Sequence, residues 1–162
     1  FSQVSGVQEM NASLAALTAG MKSSAVLDGA SLVGRYVLLK GNHATLSDGG
    51  VIVGGLTTAT GATSITVSLR NEGGELVRSM QLTPTADTTL FNWDGRANDG
   101  TVAPSGRYTL AATATVSGVS QATDTLIADL VSSVSIEPGT FALTLNTPGA
   151  GAVTLADVRQ VF

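Results

Sequence analysis

The 162-residue chain has no cysteine and a single histidine. Without thiols it can form neither disulfides nor thiolate metal sites, and one imidazole cannot build a site that needs two. Charged residues make up 12% of the chain and aromatics 4%, the former about half the ~25% usual for soluble proteins. The formal net charge is −4, so there is no basic footprint for nucleic acid or for an anionic membrane surface. No apolar run approaches the ~18 residues that a membrane-spanning helix needs. Thr, Ser, Ala, Gly and small aliphatic residues fill the space instead. A chain this poor in acids, bases and nucleophiles reads first as a binding or structural protein. Its length allows one large domain or two small ones, each able to bury a core.

Three stretches separate by periodicity. Between residues 5 and 22 the apolar set is Val7, Met10, Leu14, Leu17 and Met21. Their 3-4-3-4 spacing is that of a helix seam that packs on another helix. Ser5 and Gln8 resemble a capping box at the helix start, and Lys22 stands where a cation complements the dipole at the helix end. Gly6 and Gly20 each weaken the helix by roughly 1 kcal/mol relative to Ala. Two heptads are marginal alone in water, so the helix needs a partner: the chain's own β-structure or a neighbouring subunit. Residues 23 to 31 read as a loose linker.

Beyond it the period falls to two. Ile65, Val67 and Leu69 alternate with polar neighbours, and Tyr108, Leu110, Ala112, Ala114 and Val116, and again Phe141, Leu143 and Leu145, alternate with Thr and Ala. Such alternation predicts strands with one buried and one wet face. Turn signals punctuate them at Asp48-Gly49-Gly50, Asn71-Glu72-Gly73-Gly74, Asn98-Asp99-Gly100, Glu137-Pro138-Gly139 and Pro148-Gly149. About nine or ten short strands with such turns predict a sandwich or barrel. The segment lengths suggest two cores. Residues 62–124 hold enough strands, with the only Trp, for a small sandwich, and the flanks 32–57 and 126–162 are each too short to stand alone. Paired, the flanks would form one discontinuous domain with the sandwich inserted, the chain crossing at Thr57–Ala62 and Ala122–Thr125. The rival layout is a single sandwich using every strand.

Few residues could carry chemistry. His43 has Asp48 five residues on, but no Ser lies in a Gly-x-Ser-x-Gly elbow, so His43 reads as an exposed loop or strand-end residue. Asp94, Asn98 and Asp99 are oxygen donors of the kind that bind Ca²⁺, yet their spacing departs from the helix-loop-helix site, and Asp-Gly and Asn-Asp-Gly are preferred turn sequences. The stretch Asp48 to Gly55 lacks both the Gly-Lys-Ser/Thr ending of a phosphate loop and the Gly spacing of a dinucleotide fold. Its glycines read as turns at both ends of a short strand, Val51-Ile52-Val53. Asn11-Ala12-Ser13 matches a glycosylation triplet but falls within the helix. Neither a cofactor nor a metal is expected.

Phe91-Asn92-Trp93-Asp94-Gly95, followed by Gly100 and by Pro104-Ser105-Gly106-Arg107-Tyr108, resembles the immunoglobulin/fibronectin-like domain of the flagellar hook-capping family, also called hook assembly scaffolds or basal-body rod modification proteins. Residues 1–11, Ser31-Leu32-Val33-Gly34-Arg35-Tyr36-Val37, Gly74-Glu75-Leu76-Val77-Arg78 and the closing Val153–Val158 are similar to further elements of that family in the same order. The resemblance spans nearly the whole chain. It implies a mainly β fold: an N-terminal helix and linker (1–31), a discontinuous Tudor-like β domain (32–57 plus 126–162) and an inserted Ig/fibronectin-like sandwich (58–125). It also implies a non-enzymatic scaffold exported through the flagellar type III channel. Such a scaffold sits as a homo-oligomer at the tip of the growing hook, outside the cell, and guides hook protein subunits into place. The chain opens on Phe1 rather than Met, so the family's export and hook-insertion region is expected ahead of it.

On this reading Trp93 and Tyr108 anchor the sandwich core, Gly95, Gly100 and Gly106 set turn geometry, and Asp94 belongs to the same turn motif. Val7, Met10, Leu14, Leu17 and Met21 form the subunit-contact face. The alternative is an Ig-like adhesin or carbohydrate-binding module of another secreted bacterial protein. Low aromatic content argues against the stacking platforms such modules use.

Overall fold

The computed structural model describes residues 2–85, 87–137, 139–140 and 142–162, and of residues 2–5 the backbone alone. Phe1, Pro138 and Phe141, the last placed in a strand by its alternation, lie outside the described residues. The chain is mainly β behind one long helix, and no helix among the described residues is long and apolar enough to cross a membrane.

Helix α1 runs unbroken from Ser2 to Leu32. The expected linker at 23–31 is therefore helical, and Lys22 lies inside the helix rather than at its end. Ser5 is likewise inside, so Ser5 and Gln8 do not mark the start; the Ser5 side chain lies outside the described residues. The reason is tertiary. The last turns of α1 dock on the β-structure, with Gly29 buried and Ala25 and Leu32 half-buried, and docking outweighs the weak propensity of Ser and Gly. The helix ends at Leu32, and two residues on the chain turns away at Gly34, whose φ of +83° suits glycine. Beside it, Arg35 Nε donates to Ser31 O at 3.0 Å and satisfies a last-turn carbonyl.

Among the described residues thirteen strands follow: β1 Tyr36–Lys40, β2 His43–Leu46, β3 Ile52–Thr57, β4 Ala62–Arg70, β5 Leu76–Leu82, β6 Thr88–Trp93, β7 Gly106–Val116, β8 Val119–Thr123, β9 Thr125–Leu130, β10 Ser133–Ile136, β11 Leu143–Thr147, β12 Gly151–Thr154 and β13 Val158–Val161. All pair antiparallel. One sheet has the order β2-β7-β4-β5 with β8 also on β7, a second is β13-β1-β9-β3-β6, and a third is β10-β11-β12.

The larger core lies between the first sheet and the β3-β6 side of the second. β4 contributes Ile65, Val67 and Leu69, and β7 contributes Tyr108, Leu110, Ala112 and Ala114, the alternating residues of the sequence. They meet Leu46, Ile52, Leu56, Phe91 and Trp93. A smaller core gathers Val37, Leu39, Val131 and Leu145, with Leu32 of the helix against it.

The division between these cores differs from the expected boundary at residues 57/58. β2 pairs with β7 and β3 with β6, and both strands put side chains into the larger core. Residues 43–57 thus pack with the sandwich, and the chain passes into it at Gly41–Asn42. It returns at Asp124–Thr125, where Gly41 N donates to Thr125 O at 3.1 Å and Thr125 Oγ1 to Gly41 O at 2.7 Å. β9 spans the junction, joined to β3 at one end and to β1 along its length.

The glycines of residues 48–55 also divide. Gly49 is in a turn at φ +63°, but Gly54 and Gly55 are interior to β3, not a turn at its end. A Cβ on Gly54 would lie 2.6 Å from Phe91 Cζ and 2.9 Å from Leu126 O. Glycine is there because a ring and a neighbouring backbone occupy that space.

Candidate functional site

The apolar stripe of α1 stands free of the rest of the chain. Val7, Met10, Leu14, Leu17 and Met21 are each between 53% and 62% exposed, and no residue from Gly6 to Ser24 is buried. At about 100° per residue, Ala25, Gly29 and Leu32 fall within about 80° of Met21 around the helix axis. They continue the same face. At that end the face is covered: a Cβ on Gly29 would meet Val134 Cγ1 at 2.9 Å and Leu143 Cδ2 at 3.2 Å. One face therefore packs on β10 and β11 at its C-terminal end and carries five large apolar side chains into solvent along the rest. Ser13 Oγ and Thr18 Oγ1 donate to Glu9 O and Leu14 O one turn back, so the Asn11-Ala12-Ser13 triplet is interior to the helix.

The Trp-Asp-Gly segment is a packed turn at the end of β6. Trp93, 1% exposed, donates through Nε1 to Arg96 O at 2.7 Å. It meets Tyr108 edge to face, with ring centroids 4.9 Å apart and planes at 68°, the arrangement aromatic quadrupoles favour. The Tyr108 hydroxyl donates to Pro104 O at 2.7 Å, and burial raises its pKa above the ordinary value. Gly95 (φ +74°) and Gly100 (φ +85°) take backbone conformations that other residues resist. Gly106 opens β7 opposite Leu46.

The oxygen donors of this turn face the protein's own amides. Asp94 Oδ1 accepts from Arg96 N at 3.1 Å, and Asp99 Oδ1 accepts from Thr101 N and Oγ1 at 2.9 and 2.6 Å. The hydroxyl and amide of Thr101 hold the Asp99 carboxyl below its usual range. Asn98 bonds both ways along the edge of β5: its N–H donates to Val77 O at 2.9 Å and its Oδ1 accepts from Ser79 N at 3.0 Å. The loop thereby covers a strand edge that would otherwise offer pairing to other chains. Among the described residues no three His, Asp or Glu side chains gather as a metal would require. His43, exposed at the first residue of β2, has Nδ1 3.3 Å from Thr109 Oγ1 on the paired strand.

The structure thus keeps the two sets of singled-out residues apart: the stripe on α1, and the turn from Trp93 to Tyr108 on the sandwich. Sequence reasoning missed the covering of β5 by Asn98. Its only signal is the Asn-Asp-Gly triplet, which any tight turn shares.

Comparison with known proteins places this architecture. Residues 41–118 match the family described as the FlgD Ig-like domain, and the match begins at Gly41, where the chain passes into the larger core. The basal-body rod modification protein FlgD of Salmonella typhimurium is 30% identical over 170 aligned positions, covering 99% of this chain and 72% of that protein. The crystal structure of FlgD from Xanthomonas campestris, whose subject is hook capping essential for flagellar assembly, superposes with a TM-score of 0.71 at 30% identity, covering 85% of this chain and 99% of that one. FlgD of P. aeruginosa gives 0.66 at 25% identity, over 81% and 98%. With the helix, the strand order and the packed Trp-Asp-Gly turn in one scaffold at that level of identity, the chain belongs to the FlgD family of basal-body rod modification proteins.

Proposed function

We propose that this chain is a scaffold of flagellar hook assembly. It acts as a homo-oligomeric cap at the hook tip that guides hook protein subunits into the lattice, after export through the flagellar type III channel. Family membership supports the setting, and the free stripe of α1 is the observation that carries the oligomer. On this reading the contact face is Val7, Met10, Leu14, Leu17 and Met21. The smaller core corresponds to a Tudor-like unit and the larger to the inserted sandwich. The role asks for no catalysis: it needs rigid β-units and a surface that other copies can cover.

The magnitudes suit a reversible contact. Fully burying a Leu or Met side chain yields ~1.5–3 kcal/mol, and these are already half covered, so each contributes about 1 kcal/mol on association. Five such residues on each of two helices give about 10 kcal/mol, against an association cost of ~4–15 kcal/mol. The oligomer is therefore concentration-dependent and favoured where export delivers many copies to one place.

The test is the double substitution Leu14→Asp with Leu17→Asp. Light scattering is expected to show the mass falling towards monomer, and an unchanged mass removes the helix as the contact. The cap role is tested separately: hooks of normal length and number in a strain lacking the gene would end it.

A further inference from the structure

The sheet β13-β1-β9-β3-β6 has two faces, and both cores lie on one of them. Val37 and Leu39 of β1, Ile127 of β9, Leu56 of β3 and Phe91 of β6 point that way. By alternation Tyr36, Leu38, Leu126, Leu130, Val53 and Leu90 point the other way. Register sets them side by side: Tyr36 is opposite Leu130, Leu126 opposite Gly55 and Gly55 opposite Leu90. Phe162 N donates to Tyr36 O at 2.9 Å, which continues the β13 register and brings Phe162 beside Tyr36.

This second face is composed like an interior and stands as a surface. A sheet covered on one side alternates apolar and polar residues, whereas strands covered on both sides are apolar throughout. β4 and β7 obey the first pattern and turn Thr66, Ser68 and Thr113 away from their core. β1 (Tyr-Val-Leu-Leu-Lys) and β9 (Thr-Leu-Ile-Ala-Asp-Leu) are closer to the second. Leu38 and Leu126 are 0% and 2% exposed, yet neither belongs to a core. Their neighbours close over the sheet: a Cβ on Gly55 would lie 3.2 Å from both Leu38 Cδ2 and Leu90 Cδ2. Around that layer Tyr36, Val53, Leu90 and Phe162 are 37% to 52% exposed. Helix α1 docks elsewhere, on β10 and β11, and both other sheets pack on the opposite face.

The margin of the face is polar and neutral. Gln160, Asn92 and Thr57 are exposed along it, and Lys40 pairs with Asp124 at 2.7 Å. An apolar centre with a polar rim is the anatomy of a contact surface, and a charge brought onto that centre would be buried without a counter-charge. Extent decides the kind of contact. A fully exposed Tyr or Phe offers ~150–250 Å², and with both about half exposed the face presents roughly 400 Å² of apolar surface, the size of functional patches on monomers. A partner burying the same again gives ~800 Å², below the ~1,200 Å² of stable complexes. The face suits a contact made and released rather than a permanent pairing of copies.

We propose that this face receives a hook protein subunit, through an uncharged apolar strip on that subunit. This rests on the scaffold role proposed above. It leaves the α1 stripe to the copies and gives the second partner of that role its own surface, weak enough to hand each subunit on.

The test is a titration of the ¹⁵N-labelled full chain with purified hook protein monomer from the same bacterium, followed by amide shifts. Shifts are expected at 36–40, 53–55, 88–92 and 126–130. Tyr36→Lys with Leu90→Lys should weaken binding at least about tenfold, and Tyr36→Lys alone about threefold or more. Thr113→Lys, on the polar side of β7, should leave it unchanged. The three positions are exposed, so Tyr36→Lys keeps the test open should the double variant fold poorly, and light scattering should give each variant the parent's mass. Shifts confined to other residues, or unchanged affinity with Tyr36→Lys, overturn the proposal and leave the scaffold role standing. No binding by the parent overturns both. A lower mass for the Tyr36→Lys protein gives the face to a second copy of the chain and overturns the proposal as well.

Discussion

Gly54→Ala is the most discriminating single substitution in the sandwich, because two readings of the same glycine give opposite signs. If Gly54 ends a short strand in open space, alanine restricts the unfolded chain and stabilises the protein by ~0.4–1 kcal/mol. In the structure the new methyl would instead meet Phe91 Cζ at 2.6 Å, Phe91 Cε1 at 2.8 Å and Leu126 O at 2.9 Å. The ring is buried in the larger core and the carbonyl is backbone in a paired strand, so neither yields by rotating a side chain. Overpacking of this kind costs ~1–3 kcal/mol, and after the entropic gain the net loss is about 1–2 kcal/mol. In a chain of this length that lowers Tm by about 2–8 °C, read by far-ultraviolet circular dichroism. Gly55→Ala is the internal control: its Cβ would touch only side-chain methyls, of Leu38, Leu90 and Thr88, each at 3.2 Å, so its loss should be smaller. Adding Phe91→Leu to Gly54→Ala removes the ring contact, and the pair should couple favourably by ~0.5–3 kcal/mol in a double-mutant cycle. A Gly54→Ala protein as stable as the parent, or more so, would refute the close-approach account.

Three further outcomes rest on the same fold. Leu14→Asp with Leu17→Asp, besides lowering the oligomer mass, should leave the monomer's unfolding midpoint in urea within ~0.5 kcal/mol of the parent, since both side chains are exposed. Tyr108→Phe removes the hydroxyl that donates to Pro104 O and should cost ~0.5–1.5 kcal/mol by urea denaturation; because burial raises the Tyr108 pKa, its contribution is present below the unfolded phenol's pKa of about 10 and lost as pH rises through the folded value, a loss absent in the variant. In acid the sign reverses: hydrogen bonds from Thr101 and Thr154 lower the pKa of Asp99 and Asp157, so the unfolded state takes up these protons first and stability falls as pH drops below about 4. Asp99→Asn with Asp157→Asn should flatten that part of the curve, and an unchanged slope would show that the two carboxylates do not set it.

The free stripe on α1 was legible in the 3-4-3-4 spacing, because a helix face is written in consecutive residues. Its exposure was not, since that depends on what the folded β-structure leaves uncovered. The close approach of Gly54 to the Phe91 ring had no sequence signal at all, since the two residues are far apart in the chain and meet only when β3 pairs with β6.

By itself the sequence determined the local faces: the alternating residues of β4 and β7, the glycine turns, the Trp-Asp-Gly motif and its family, and the absence of thiol chemistry. The tertiary structure decided which faces meet. It extended α1 to Leu32 by docking Gly29 on Val134, gave β2 and β3 to the larger core, and made Gly54 a point of close approach. The physical reason is common to all three. Periodicity states that one side of an element is apolar, but not which distant element will cover it; that is settled by strand pairing and packing between residues remote in sequence.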